Sequence, residues 1–394
     1  MRSTKMNHSI GLADRRRTPR MATRVRDLEG DLVVGKVTSV GKLRCLCECS
    51  NPAPETLRPV CSAGRRRKVW TSPGVGGTSI SHREVLLSEL PQLGGPLFVT
   101  DGGIETDLIF NKGVELPEFA SFVLHENASG EAILRDYFAD YFQIGADAGL
   151  GLVLETATWR ASRDWGVKLG YDEARLRSVN QRAAEFMLAL RAAAADGTVV
   201  VSGCIGPRGD AYSDLGPASA DEALAYHRPQ VEVLASSGVD LLTALTLTNV
   251  AEAIGFVRAA SERSMHAVVS FTVETDGRLP SGMSLAEAIE LVDAETDNAA
   301  AYFMINCAHP DHFSPVLTGS SAGLGRIRGL RANASRQSHA ELDDSTELDD
   351  GDPTEFGGQL AAFRANDPQI SVLGGCCGTD ARHIAAIAAA HGNV

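Results

Sequence analysis

The sequence predicts an α/β fold, a (β/α)8 barrel of the TIM type, preceded by a basic N-terminal extension read as largely disordered. Three observations predict it. From Pro96 onward, eight short apolar runs alternate with stretches of helical periodicity over about 300 residues, the rhythm of repeated βα units. Most of these runs are continuously apolar, as parallel strands buried on both faces require. No Gly-x-Gly-x-x-Gly fingerprint follows the first run, which makes the open doubly wound sheet the runner-up.

Residues 1–95 differ from the rest. They carry Arg15-Arg16-Arg17 and Arg65-Arg66-Arg67-Lys68 among scattered Gly, Pro and Ser, with little periodicity. Cys45, Cys47, Cys49 and Cys61 lie here, but alternating Cys-x-Cys-x-Cys is a poor match to the Cys-x-x-Cys pairs of structural zinc, and they are read as incidental thiols. The predicted homogeneous domain is then 96–394. Its strand candidates are 97–100, 152–155, 199–203, 239–245, 266–272, 301–306, 326–333 and 370–374. Between them, Ile133, Leu134, Tyr137, Phe138, Tyr141 and Phe142 share one helical face within 131–148. Ser219-Ala220-Asp221-Glu222 and Ser284-Leu285-Ala286-Glu287 are capping boxes that start two more helices. Thr379-Asp380 can cap the last helix, and Asp352 with Pro353 starts the one before it. Residues 339–355 interrupt the rhythm with a run of acids and are read as an exposed acidic loop, with a lid or subunit contact as the alternative.

Composition narrows the function. The net charge is −13, yet residues 1–70 hold 16 Lys and Arg against 6 Asp and Glu, so the body is strongly acidic and a poor partner for nucleic acid. No apolar run approaches the ~20 residues of a membrane span, and no secretory signal is recognised at the N-terminus. A cytoplasmic setting is expected, in which the eight cysteines stay reduced and serve metal binding or catalysis rather than disulfides.

The chemistry concentrates in three cysteines. Cys307 follows the sixth apolar run, and Cys376-Cys377 follow the eighth within Gly374-Gly375-Cys376-Cys377-Gly378. A barrel of this kind carries its active site at the C-terminal ends of its strands, so the three thiols can converge. Adjacent residues of a strand point to opposite faces, so both Cys376 and Cys377 reach one ion only if the glycines let the backbone leave β geometry. A disulfide between them is disfavoured, because neighbouring Cα atoms lie ~3.8 Å apart, short of the usual ~4.4–6.8 Å. Three thiolates on Zn²⁺ leave one open position, the mark of catalytic zinc. Such a site suits holding a substrate thiol, whose free pKa is ~8.5, as a reactive thiolate. That thiolate can attack a methyl group on a cationic donor, from which a neutral molecule leaves.

Together, Gly374-Gly375-Cys376-Cys377-Gly378-Thr379, Asn306-Cys307, Asp101-Gly102-Gly103 and Gly203-Cys204-Ile205-Gly206-Pro207 resemble the homocysteine S-methyltransferase family, over roughly residues 96–394. The resemblance implies a (β/α)8 barrel, zinc on Cys307, Cys376 and Cys377, homocysteine and a small methyl donor as partners, and a place in methionine biosynthesis. It also implies that Asp101 and Gly102 bind the amino-acid end of homocysteine. One departure is Leu245, which stands where members often carry a Glu that helps hold the substrate amine. Glu274 or Glu155 can supply that carboxylate instead. Cys204 is read as a small loop residue, His309 and His312 as supporting or helix-start residues, and Trp159 and Trp165 as packing residues that can alternatively face a cationic donor. Alternative functions are a non-enzymatic homocysteine- or zinc-binding module, and a methyltransferase for another thiol or a selenol. S-methylmethionine, S-adenosylmethionine, a betaine, and a corrinoid or folate carrier all stay open as donors.

Overall fold

All eight apolar runs form strands, and in the computed structural model they close into a parallel barrel in sequence order: β1 (Phe98–Val99), β2 (Gly151–Glu155), β3 (Val199–Ile205), β4 (Leu241–Leu247), β5 (Ala267–Phe271), β6 (Ala300–Asn306), β7 (Ile327–Ala332) and β8 (Val372–Gly375). Pairing of β1 with both β2 and β8 completes the ring. The structure describes residues 89–392 apart from 195–196, 213–218 and 320. The arginine runs of the extension and Cys45, Cys47, Cys49 and Cys61 lie outside the described residues.

Each strand is followed by an outer helix: α1 (Ala128–Ala148), α2 (Glu173–Ala193), α3 (Ala220–Ser236), α4 (Val250–Ser261), α5 (Leu285–Glu295), α6 (Pro310–Leu317), α7 (Pro353–Asn366) and α8 (Ala381–His391). Their starts are where the side chains dictate. Ser219 with Glu222 and Ser284 with Glu287 form reciprocal capping boxes. Asp352 accepts from Thr354 and Glu355 ahead of Pro353, and Asp380 caps α8. On α1, Leu134, Tyr137, Phe138 and Tyr141 are buried, while Ile133 and Phe142 of the expected face sit at its edge.

The barrel interior is layered. Phe98, Val153, Val200, Leu241, Val268, Met304 and Val372 fill its lower part, with Leu90 packed against them from below. Gln92 follows Leu90 and donates to the Tyr302 hydroxyl, so contact with the barrel begins before Pro96. Side chains two residues further along a strand point the same way. At that level the inward positions turn polar: Thr100, Glu155, Ser202, Thr243, Ser270, Asn306 and Arg331 are all buried. The change from apolar to polar marks the floor of a cavity that opens at the C-terminal ends of the strands.

The acidic segment is only partly a loop. Ser338 caps a short helix, His339–Asp343, with a capping box to Glu341, and His339 is buried rather than exposed.

Candidate active site

The cavity at the barrel mouth has a volume of about 310 Å³ and brings together Asp101, Glu155, Cys307, Cys376 and Cys377 from four strand ends. The sulfurs of Cys307, Cys376 and Cys377 all lie within 4.8 Å of one another. The Cys307 and Cys377 sulfurs are 3.7 Å apart.

The backbone explains why adjacent cysteines can share one focus. After β8 the chain turns at once: the Cys376 carbonyl accepts both the Thr379 amide (3.1 Å) and the Thr379 hydroxyl (2.7 Å). Gly378 sits at φ 79°, which only glycine adopts without strain. Gly374 is required by close approach, since a Cβ there would lie 1.8 Å from the Thr100 hydroxyl. Cys307 itself has φ 58°, a left-handed conformation that ends β6 and redirects its sulfur. Asn306, at the end of β6, reaches past β5 to secure β4. Its Oδ1 accepts the Thr246 amide (2.8 Å), and its Nδ2 donates to the Thr246 hydroxyl (2.8 Å) and toward the Cys376 sulfur (3.8 Å). Thr246 also has positive φ and lies in a β4 bulge, a device that re-aims side chains beside functional sites. The bulge leaves Leu245 on the cavity wall.

Electrostatics at the sulfur end favour one anion among three thiols. Hydrogen bonds from Cys307 and Cys377, then the Arg331 charge and Asn306, hold the Cys376 thiol well below its ordinary range. Cys307 and Cys377 are pushed up, because a second and third anion would face the first in a buried place. A soft divalent cation resolves this conflict, and three thiolates are a donor set that zinc accepts. The residues present therefore fit a metal.

The opposite end is a network of buried charge. The Arg331 guanidinium, 4% exposed, donates to Asp101 Oδ1 (2.8 Å) and to the Gly375 carbonyl (3.1 Å), and lies 3.8 Å from Glu155 Oε1. Asp101 Oδ2 accepts the Tyr137 hydroxyl (3.2 Å). Both Asp101 oxygens are thus engaged, whereas Glu155 Oε2 and Arg331 Nη1 have no hydrogen-bond partner among the described residues. Burial raises the Asp101 carboxyl and pushes Glu155 up to about 7. Glu105, which lines the same cavity and accepts from Ser121 (2.7 Å), is also pushed up to about 7 by burial.

The sequence-predicted residues divide. Asp101, Gly102 and Glu155 line the cavity, as do all three metal-site cysteines. Glu274 does not: it lies half-buried in the loop after β5, in a turn where its amide donates to the Arg278 carbonyl (2.8 Å). Of the two expected carboxylates only Glu155 lines the cavity, and Glu274 stays in the loop past the end of β5. Trp159 lines the cavity, whereas Trp165 is buried under Arg160 and Lys168. His309 caps α6 by accepting the Asp311 amide, and His312 contacts the Arg336 carbonyl. Neither joins the sulfur cluster among the described residues. Cys204 is buried on the cavity wall, outside that cluster. Sequence reasoning missed Arg331, Glu105 and Tyr212. Arg331 did leave a signal, a charged residue inside a strand expected to be buried on both faces.

With this geometry in place, comparison with known proteins is decisive at the family level. The profile of homocysteine S-methyltransferases matches residues 98–391. The chain belongs to the homocysteine S-methyltransferase family. It is 27% identical over 314 residues to homocysteine S-methyltransferase of Escherichia coli (strain K12), covering 74% of this chain and 94% of that one. Identity to homocysteine S-methyltransferase YbgG of Bacillus subtilis (strain 168) is 25% over 315 residues, covering 75% and 94%. Selenocysteine Se-methyltransferase of Brassica oleracea var. italica is 23% identical over 326 residues, covering 76% and 90%. Among solved structures, the oxidized form of the E. coli homocysteine methyltransferase MmuM superposes with a TM-score of 0.60 at 25% identity, covering 77% of this chain and 99% of that one. Membership makes this chain a methyl-transferring enzyme. Within the family, its cavity combines the three-cysteine cluster with Leu245 on the wall and Arg331 in the floor. No helix among the described residues is long and apolar enough to cross a membrane.

Proposed function

We propose that the protein is a zinc-dependent homocysteine S-methyltransferase that moves a methyl group from a small cationic donor to the thiol of homocysteine, giving methionine. The observation that carries the reading is the convergence of three thiols within 4.8 Å beside a buried charged floor. Zinc held by Cys307, Cys376 and Cys377 would supply the positive charge that keeps an acceptor thiol deprotonated at neutral pH.

The chain's own residues do the rest. Glu155, with an oxygen still uncommitted, and Glu105 offer the negative charge for the acceptor ammonium. Asp101 acts through Arg331: it fixes the guanidinium, which in turn faces Glu155 and lowers the thiol of Cys376. Leu245, Ala157, Trp159 and Phe119 form a mostly apolar wall on which water is poorly held, and the ring faces attract a cationic methyl group. In the transfer, a new bond forms between the acceptor sulfur and the methyl carbon. The electrons of the broken donor–methyl bond stay with the donor, which departs neutral. A cavity of about 310 Å³ lies at the low end of small-molecule sites and favours a compact donor.

The test is to measure zinc and methionine formation on the full chain with S-methylmethionine, S-adenosylmethionine and a betaine as donors. About one zinc per chain is expected from an open three-ligand site. Cys376→Ser should lose the metal and lower activity more than ~100-fold, beyond the 10–100-fold typical of outer partners. Undiminished activity in a metal-free preparation ends the reading.

A further inference from the structure

Four chain segments meet at Cys307, and one of them is the acidic insertion after β7. Thr272, fully buried at the end of β5, is the hub. Its hydroxyl donates to the Cys307 carbonyl (3.3 Å) and lies 3.3 Å from both the Tyr212 hydroxyl and His339 Nε2. The rings of Tyr212 and His339 stack, with centroids 4.0 Å apart and planes 26° from parallel. Tyr212 and Cys307 both line the cavity, and the Tyr212 hydroxyl lies close enough to the Cys307 side chain to influence it.

We propose that Tyr212 is a positioning residue for the metal site: its hydroxyl donates to the Cys307 sulfur, and the acidic insertion holds it there by stacking His339 on its ring. The inference rests on the reading of the three cysteines as a metal site. Hydrogen counting supports it. Thr272 gives its proton to the Cys307 carbonyl and His339 can give Nε2–H to Thr272, so the Thr272 proton is already committed and the Tyr212 proton is free to turn to sulfur. An O–H bond to a thiolate ligand withdraws charge from a sulfur set that carries one more negative charge than the ion neutralises, and it fixes where that sulfur points.

The insertion is anchored at both ends. At its start, Ser338 caps the short helix that presents His339. At its far end, Asp349 accepts from Ser335 (2.5 Å), and the Asp350 carbonyl contacts His383 Nε2 (2.8 Å) at the start of α8. The Asp349 carbonyl lies so close to Gly378 that a Cβ there would be 2.7 Å away. One segment therefore spans from the Cys307 side of the cluster to the Cys377 side. The acid-rich stretch that looks like solvent-facing loop in the sequence acts as a clasp over the cysteines.

The test uses the full chain stripped of metal and titrated with cobalt(II), with zinc affinity measured by chelator competition. Tyr212→Phe keeps the ring and removes only the donor. It should weaken zinc binding about 10-fold, as outer partners of metal ligands do, and shift the thiolate-to-cobalt charge-transfer band. His339→Ala should move both readouts in the same direction, and His339→Phe, which keeps a stacked ring, should recover part of the loss. If Tyr212→Phe does not fold, the two His339 variants carry the test. Wild-type affinity and an unmoved band in Tyr212→Phe and His339→Ala overturn the clasp while leaving the three-cysteine reading intact. A wild-type protein that binds neither cobalt nor zinc overturns both.

Discussion

The two ends of the cavity are built on opposite plans. At the sulfur end, three side chains of one kind are brought together by backbone geometry: a turn after β8, glycine at φ 79° and a left-handed Cys307. At the charged end, Asp101, Glu155 and Arg331 come from three different strands and hold one another by ion pairing in a buried layer. The sulfur end gathers three groups of one kind, of which Arg331 and Asn306 favour a single thiolate, and it could hold a metal ion. The charged end is largely neutralised already, so it contributes to holding the barrel together as well as to binding. The same cavity thus joins a cluster set by backbone geometry to one held by buried ion pairs.

That contrast is broken or sharpened most strongly at Arg331. Arg331→Met removes the cation from between two buried carboxyls, and breaking a buried pair costs about 3–5 kcal/mol. Chemical denaturation of the metal-free protein should show this loss. Cys376→Ser in the same metal-free state should change stability by less than ~1 kcal/mol, because its contact there is a long sulfur hydrogen bond from Asn306 rather than a carboxylate ion pair. Equal losses in the two variants would show that the sulfur end also bears structural load, and the distinction would fall.

The same contrast explains what could be read from the sequence. Cys376-Cys377 among glycines and Cys307 after an apolar run are local patterns, and their convergence follows once the strands are counted around a barrel. The strands themselves were legible because parallel, doubly buried segments are continuous apolar runs, and the starts of α3, α5, α7 and α8 because capping is a matter of three or four adjacent residues. Arg331 was not read as a partner of Asp101, because their contact depends on β7, β8 and β1 closing in register. His339 was hidden for a similar reason. It opens a segment rich in exposed acids such as Glu341 and Asp344, and only the fold places it on Tyr212. The choice between Glu155 and Glu274 was undecidable locally, since one ends an apolar strand and the other follows one within three residues.

A pH series tests the charged end next. Burial lifts Glu155 and Glu105 from an ordinary 4.5 to about 7, so the folded protein keeps protons that the unfolded chain releases. The stability tied to these protonated groups is complete below pH 4.5 and is lost as pH rises through 7. Each group contributes on the order of 3 kcal/mol to that decline. Glu155→Gln should flatten the slope between those limits by one group. It should also raise the KM for homocysteine by roughly 10-fold if the carboxylate receives the ammonium, as a charged hydrogen bond of about 1.5 kcal/mol implies. In the wild type KM should fall as pH rises through about 7, when Glu155 ionises. A flattened stability slope with unchanged KM would make Glu155 part of the structural network alone.

The smallest effect is expected at Glu274, and its size is informative. Its carboxyl is raised mainly by partial burial and by Asp276, and its surroundings are the loop after β5 rather than the cavity. Glu274→Ala should leave stability within ~0.5 kcal/mol, as surface substitutions do. The KM for homocysteine should change less than twofold, a difference below ~0.5 kcal/mol. The comparison with Glu155→Gln uses the same charge type at two strand ends that look alike in sequence. If Glu274→Ala raises KM as much as Glu155→Gln does, the β5 loop must close over the acceptor during turnover, and the charged end is larger than the buried network. If only Glu155 matters, the acceptor is read from within the barrel, where Arg331 has set the field, and Leu245 on β4 needs no substitute from the neighbouring β5 loop.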